Sequence, residues 1–150
     1  MHIRFSLNLP RDAVSVPVVR RISGEALRSL GVAGDCVDDI ELALTEACTN
    51  VLKHATGASD DYEVTFEVDE SACNIRVIDA GEGFDEDALP PSPAHHSAES
   101  GRGLYLMQAL VDELSFVSKP EVGTVVHLEK ALHLTTNALL GRLAGRSTAG

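Results

Sequence analysis

Three side chains that suit phosphate chemistry recur along one stretch of the sequence. Glu46, Asn50 and Lys53 follow one another at intervals of four and three residues, which would place them side by side on one face of an α-helix. An Asn oxygen is a hard ligand acceptable to Mg2+, a Lys can neutralise phosphate oxygens, and a Glu can accept a proton from a hydroxyl. Such a stripe is more often the solvated face of an amphipathic helix, so its meaning depends on the features around it.

The same stretch carries an apolar face that would bury against a sheet. Ile40, Leu44, Ala47 and Val51 recur at the four, three, four spacing of a helix, and Asp35 can cap the helix that they predict. The polar stripe then lies about a third of a turn away from the buried face.

Two glycine-rich turns follow at the ends of predicted elements. One begins at Asp79, directly after a predicted strand, and contains Gly81 and Gly83, and the other, Gly101-Arg102-Gly103, precedes a predicted helix that starts at Leu104. Paired glycines let backbone amides approach an anion, and a helix N-terminus adds a partial positive charge. The Asp79 carboxylate is a natural acceptor for a purine amino group. Each turn alone is more often a plain loop, but with the polar stripe they indicate a nucleotide site.

The remaining patterns predict a sheet covered by helices. A helix is expected over residues 12–30, with Val19, Ile22, Ala26 and Leu30 inward, and residues 85–100 show no period and form a candidate lid. The order of elements predicts an α+β two-layer sandwich, with a mixed, mostly antiparallel sheet and helices on one face. Period-two alternation predicts strands at residues 3–9, 62–68, 73–77, 114–119 and 124–130, the last four as two hairpins.

Length and charge limit the possible functions. The 150 residues fit one domain, expected at residues 1–132, with a C-terminal tail at 133–150 that forms a short helix or is disordered. The net charge of −11 argues against direct nucleic-acid binding. Neither a secretory leader nor a membrane span is recognisable, which predicts a cytoplasmic protein. The isolated cysteines, expected to be structural thiols, are Cys36, Cys48 and Cys73.

Four blocks of the sequence together resemble the N, G1 and G2 boxes of the ATPase superfamily shared by gyrase, heat-shock chaperones, mismatch-repair proteins and histidine kinases. Within it, the chain is most similar to the small bacterial anti-sigma-factor serine kinases of the general-stress and sporulation type. The resemblance extends from about residue 3 to residue 131. The blocks run from Glu46 to Ala55, from Asp79 to Phe84, from Gly101 to Leu104, and over Gly123 and Thr124.

The resemblance implies the Bergerat fold, with ATP between the helices and under the lid. It assigns Glu46 as the general base, Asn50 as the Mg2+ ligand, Asp79 as the acceptor of the adenine amino group and Thr124 as its support through water. Lys53 matches a position at which some relatives contact phosphate. The adenine side would be lined by Gly81 and Gly83, and the phosphates would be wrapped by Gly101, Arg102, Gly103 and Leu104.

The leading hypothesis is an ATP-dependent serine/threonine kinase that phosphorylates an anti-sigma-factor antagonist and sequesters a sigma factor. One alternative is a binding module that uses ATP as a structural ligand or switch, and another is a stressosome-type switch kinase. A catalytic fragment of a sensor histidine kinase fits less well, because Glu rather than Asn stands four residues before Asn50. The resemblance also implies a homodimer, to which the first strand could contribute.

Overall fold

The computed structural model describes residues 1–54, 60–79, 105–119, 123–136 and 138–142. Its strands are β1 (Ile3–Pro10), β2 (Asp61–Val68), β3 (Ala72–Asp79), β4 (Glu113–Lys119) and β5 (Gly123–Ala131), and its helices are α1 (Ser15–Ser29) and α2 (Gly34–His54). Residues 105–110 are also helical. The strands form one sheet in the order β1-β2-β3-β5-β4.

The predicted α+β two-layer sandwich is confirmed. Both predicted hairpins are present, and every neighbouring pair among the described strands is antiparallel, where the sequence predicted a mixed, mostly antiparallel sheet. Alternate residues of β2 are buried on one face of the sheet, and the ring of Phe5 from β1 stacks on Phe66 with 4.6 Å between centroids. Strands β1 and β2 are therefore anchored by the apolar face that their alternation predicts.

Helix α2 covers this face as its period predicts. Ile40, Leu44, Ala47 and Val51 are all buried in the core, and the helix packs against β3 and β5. Burying such side chains contributes about 1.5–3 kcal/mol each for the larger ones. This packing fixes the rotation of α2 about its axis and thereby the direction of its polar stripe.

The predicted buried face of α1 is wrong in part. Val19 is buried as expected, but Ile22 is 43% exposed, and Ala26 and Leu30 are only half-buried. The fully buried apolar residue near the end of the helix is Leu27 instead. The buried face of α1 is thus rotated away from Ile22 and toward Leu27.

Small residues explain this rotation. Ser23 is buried because its hydroxyl donates to the Val19 carbonyl at 2.7 Å, which satisfies the polar group within the helix. Gly24 faces Glu41 of α2 so closely that an added Cβ would lie 1.9 Å from a carboxylate oxygen. Small residues of α1 therefore lie on its buried face, a feature that a count of apolar spacings does not weigh.

The two ends of the sheet hold different groups. Strands β1 and β3 are both antiparallel to β2, so their C-terminal ends, Pro10 and Asp79, lie at the same end of the sheet. Ala131, at the opposite end, accepts a hydrogen bond from the Cys36 thiol over 3.9 Å. Because Cys36 stands near the start of α2, this helix runs along the sheet toward the end that carries Asp79.

The segment after β5 closes the opposite end. Leu134 forms an isolated antiparallel bridge with Val32, and the Thr135 amide donates to the Gly31 carbonyl at 2.7 Å. Leu140 is buried in the core, and residues 139–142 are helical. The division of the chain at residue 132 stays a prediction.

The three cysteines are free and buried. Across the described ranges, no helix is long and apolar enough to cross a membrane.

Candidate nucleotide site

Two buried polar residues face each other where β3 ends and β5 begins. Asp79 and Thr124 are cross-strand partners, and both side chains are completely buried. They follow the alternation of Val77 and Val126, which places them on the face that α2 covers. Cross-strand partners have Cα atoms about 4.5–5.5 Å apart. The predicted adenine acceptor and its predicted support are therefore neighbours.

Arg11 pairs with this buried carboxylate. Its Nη1 donates to Oδ2 of Asp79 in an ion pair, and only 15% of the Arg11 side chain is exposed. The Arg11 amide donates to the Asp60 carbonyl at 2.9 Å, which fixes the backbone just beyond β1. A buried carboxylate is tolerated when a cation and hydrogen bonds satisfy it. Arg11 therefore holds Asp79 in place from the edge of the sheet.

A buried polar chain places the second half of α2 over this end. Glu63 pairs with Ile78, so Tyr62 lies in the row beside Asp79. The Cys48 thiol of α2 forms a hydrogen bond with the Tyr62 hydroxyl. The Tyr62 hydroxyl in turn lies 2.5 Å from the Ser15 hydroxyl. The contact connects α2 with β2 and with the start of α1.

The Cys48 thiol and the Tyr62 hydroxyl are both neutral at physiological pH. Burial raises the pKa of Cys48 to about 12, although the hydrogen bond with Tyr62 acts in the opposite direction. Burial also raises the pKa of Tyr62 to about 12, although the hydrogen bond with Ser15 acts to lower it. Their role is therefore positional, as expected for a buried thiol.

The polar stripe of α2 borders this region. Glu46 and Asn50 are half-buried and Lys53 is exposed, while the neighbouring positions Ala47 and Val51 are fully buried. Side chains three and four residues apart have Cβ atoms about 5–6 Å apart. Since Cys48 lies between Glu46 and Asn50 and contacts the row beside Asp79, the stripe and the buried pair occupy the same end of the molecule.

A surface groove between α1 and α2 adjoins this stripe but shares only Lys53 with the predicted site. Its other lining residues come from the segment just before α1, from α1 itself and from the side of α2 that faces α1, and they are Ala13, Val16, Pro17, Arg20, Thr45, Thr49 and Leu52. The groove is therefore separate from the buried Asp79–Thr124 pair.

Several predicted site residues lie outside the described residues. All of them belong to the two glycine-rich turns, and they are Gly81, Gly83, Gly101, Arg102, Gly103 and Leu104. The candidate lid at residues 85–100 lies outside them as well. Their assignments stay predictions.

The buried Asp79, its partner Thr124 and the stripe of α2 are held within a domain of known type. Residues 9–130 match the family model described as the histidine kinase-like ATPase domain. The chain belongs to this family. The superfamily predicted from the sequence blocks is thereby confirmed, and the matched range contains every predicted site residue of this histidine kinase-like ATPase domain.

Curated relatives of this ATPase domain are similar over most of their length. A serine-protein kinase RsbW of Bacillus velezensis is 35% identical over 138 residues, which cover 85% of this chain and 84% of that protein. A serine-protein kinase RsbW of Halalkalibacterium halodurans is 35% identical over 135 residues, covering 84% of this chain and 82% of the relative.

A solved structure shares the fold. The crystal structure of the RsbU and RsbW domains of a Mycobacterium tuberculosis protein superposes with a TM-score of 0.66 at 19% identity, covering 87% of this chain and 32% of that one. The fold prediction is confirmed by this likeness.

Arg11 is the residue of the site that the sequence patterns missed. It follows a strand-ending proline in a polar stretch, 68 residues before its partner. A prediction that β1 pairs with β2 would have found it, since that pairing makes β1 parallel to β3 and brings their C-terminal ends together.

Proposed function

We propose that this chain is an ATP-dependent serine/threonine protein kinase that phosphorylates an anti-sigma-factor antagonist and acts as an anti-sigma factor by sequestering a sigma factor. The observation that carries the proposal is the placement of Glu46 and Asn50 at the same end of the fold as the buried Asp79–Thr124 pair. A protein kinase needs a nucleotide site and a proton acceptor next to it. The relatives named serine-protein kinase, similar over more than four fifths of their length, support the same activity.

The nucleotide part of the proposal rests on the chemistry of Asp79. A carboxylate oxygen accepts a hydrogen bond from an amino group, and adenine offers one at its edge. Arg11 and the sheet register hold this carboxylate rigidly, which reduces the entropy lost on binding. Thr124 adds a hydroxyl beside the Asp79 carboxylate, and this hydroxyl can hydrogen-bond to the adenine through a water molecule. The two glycine-rich turns would supply backbone amides to the phosphates.

The donor set of α2 fits a magnesium ion. Mg2+ is usually held by one or two protein oxygens, waters and substrate phosphates, and Asn50 offers one neutral oxygen on a half-buried surface. Asn50 would hold the ion, which when bound neutralises charge on the phosphates. Lys53, one turn further on, would place an ammonium near the same phosphates.

Glu46 is the proposed general base. Its side chain would accept the proton of a substrate serine or threonine hydroxyl, while that oxygen forms a bond to the γ-phosphorus and the bond to the β-phosphate oxygen breaks. The products are the phosphorylated antagonist and ADP. Because Glu46 lies one helical turn from Asn50, the base and the metal ligand reach the same region.

The test is transfer of the γ-phosphate from Mg-ATP to purified candidate antagonist proteins, at saturating nucleotide for each variant. We expect Glu46→Gln to lower the rate about 10²–10⁴-fold, the usual contribution of a general base, while nucleotide affinity changes little. Asn50→Ala should weaken Mg-ATP binding itself. Asp38→Asn is the matched control, because Asp38 is an exposed acid on the same helix, and its activity should equal that of the wild type.

One outcome would refute the role of Glu46, and another would refute the kinase proposal itself. Glu46→Gln that transfers phosphate as fast as the wild type would exclude Glu46 as the base. A wild-type chain that binds ATP and a partner tightly, yet phosphorylates none of the candidates, would indicate a nucleotide-gated binding module instead.

The partners proposed are a sigma factor, the antagonist and a second copy of the chain. Strand β1 is an edge of the sheet and pairs only with β2 among the described strands. An open edge offers backbone groups to another strand, so we propose that β1 contributes to a homodimer. Light scattering on the purified chain tests this proposal, and a monomer at all concentrations would contradict it.

A further inference from the structure

Three metal-ligating side chains converge at the end of the sheet opposite the nucleotide site. The carboxylate of Asp35, the thiol of Cys36 and the imidazole of His133 have ligand atoms that all lie within 4.8 Å of one another. Asp35 and His133 are exposed, whereas Cys36 is buried. The three residues come from the first turn of α2 and from the segment after β5, so only the folded chain brings them together.

Backbone hydrogen bonds fix the positions of these residues. The Ala33 amide donates to the His133 carbonyl at 2.7 Å, and the bridge between Val32 and Leu134 continues the pairing. The His133 amide also donates to the Cys36 sulfur at 3.4 Å. A ligand set on a hydrogen-bonded frame loses little conformational freedom when an ion binds.

The other acids at the start of α2 are engaged elsewhere. Asp38 lies 3.6 Å from Arg28, and Asp39 lies 3.2 Å from Lys130, in both cases between an oxygen and a nitrogen. Within the part of the chain that the structure describes, no hydrogen bond or ion pair involves the Asp35 carboxylate or the His133 ring. These two groups can therefore turn toward the sulfur without breaking another contact.

We propose that Asp35, Cys36 and His133 bind a divalent transition-metal ion of the Zn2+ type. A thiolate, an imidazole and a carboxylate form a ligand set for Zn2+, with ligand distances of about 2.0–2.3 Å. Tetrahedral geometry then requires ligand atoms about 3.3–3.6 Å apart, which the exposed side chains of Asp35 and His133 reach by small rotations. Water takes the fourth position, and the thiol proton passes to solvent as the sulfur binds the ion.

The proposed site is separate from the Mg2+ position on Asn50. Cys36 and Asn50 are fourteen positions apart, which corresponds to about 21 Å along α2, and they lie toward opposite ends of the sheet. Mg2+ requires oxygen ligands in octahedral geometry, so it does not replace Zn2+ here. The ion would tie the start of α2 to the segment after β5 and thereby stabilise the fold without taking part in phosphotransfer.

The test uses the full chain without an affinity tag, titrated with Co2+ and then with Zn2+. We expect equimolar Co2+ binding, with a thiolate-to-cobalt charge-transfer band that Zn2+ abolishes, and a Zn2+-dependent rise in the thermal unfolding midpoint that is unaffected by excess Mg2+. Asp35→Asn, Cys36→Ser and His133→Asn should each weaken Zn2+ binding at least tenfold. The exposed positions Asp35 and His133 keep the test informative if Cys36→Ser does not fold.

Matched controls isolate the three ligands. Cys73→Ser removes another buried thiol, Asp38→Asn another acid of α2, and His127→Asn a half-buried histidine; all three variants should bind as the wild type. A charge-transfer band that survives in Cys36→Ser would overturn the proposal. An affinity that Asp35→Asn and His133→Asn leave unchanged would also overturn it. So would binding that is lost only when the two adjacent histidines of the candidate lid, His95 and His96, are replaced. Because no arm of the test includes ATP, its failure would leave the kinase proposal untouched.

Discussion

Replacing Arg11 by Met tests whether the ion pair between Arg11 and Asp79 stabilises the folded chain. The change removes the guanidinium but keeps much of the apolar stem. The stability that is lost therefore comes mainly from leaving the fully buried Asp79 carboxylate without its cation. Leaving a buried charge without its partner costs about 3–5 kcal/mol. Arg11 is 15% exposed, and Asp79 has a further interaction, so we expect about 3 kcal/mol, the lower end of that range.

Urea unfolding followed by far-ultraviolet circular dichroism measures this loss. With a slope of about 2 kcal/mol per molar urea, the midpoint of Arg11→Met should fall by about 1.5 M. Asp79→Asn should cost less, about 1–2 kcal/mol, because the Arg11 side chain can turn to water whereas the carboxylate cannot. Arg20→Met is the control, since Arg20 is exposed on α1, and should change stability by no more than about 0.5 kcal/mol.

The double variant decides whether the two residues act together. Arg11→Met combined with Asp79→Asn should cost at least about 1 kcal/mol less than the sum of the single changes, because contacting residues are coupled. If Arg11→Met costs below about 1 kcal/mol and the two changes add, the pair does not stabilise the folded chain, and the positioning role assigned to Arg11 is wrong.

The other predictions concern the two turns that shape the fold. Asp69 accepts hydrogen bonds from the Ser71 amide, the Ser71 hydroxyl and the Ala72 amide at 2.7–2.8 Å; Asp69→Ala should lower the free energy of unfolding by about 1–2 kcal/mol at pH 7 in urea titrations. Although partial burial acts to raise it, these bonds hold the pKa of Asp69 below 3.8, so the deficit should shrink as pH falls below that value, and a pH-independent deficit would contradict the assignment. Gly31 has φ +89°, and an added Cβ would lie 2.3 Å from that of Ala138. Gly31→Ala should therefore lower the free energy of unfolding by more than about 2 kcal/mol in the same urea titrations. A loss below about 0.5 kcal/mol would show that the segment after β5 does not pack there.

Local patterns predicted the elements that carry the site. The spacing of Ile40, Leu44 and Val51 defined the buried face of α2 and with it the direction of Glu46 and Asn50, because a helix has one rotation that buries its apolar face. Alternation located both hairpins because a strand with one buried face buries every second residue. The position of Asp79 at a strand end followed directly from that alternation, whereas its ligand role stays a prediction.

The contacts between distant segments could not be predicted in this way. Arg11 meets Asp79, and Cys36 meets His133, across 68 and 97 residues, and no periodicity within one segment encodes such meetings. The rotation of α1 was missed because Ser23 is satisfied by its own helix and Gly24 admits Glu41, so small residues bury in place of the larger Ile22. Strand order and close helix contacts are properties of the assembled chain.

The strand order also has a consequence for how the chain is made. Arg11, which directly follows the first strand, and Thr124 of the last strand both neighbour Asp79. A nascent chain that ends before β5 therefore still lacks one neighbour of that carboxylate. Ribosomal synthesis must therefore deliver almost the whole chain before the surroundings of Asp79 are complete. A ligand that binds there would select completed molecules over truncated ones, and nucleotide retention would become a check on the integrity of each newly made copy.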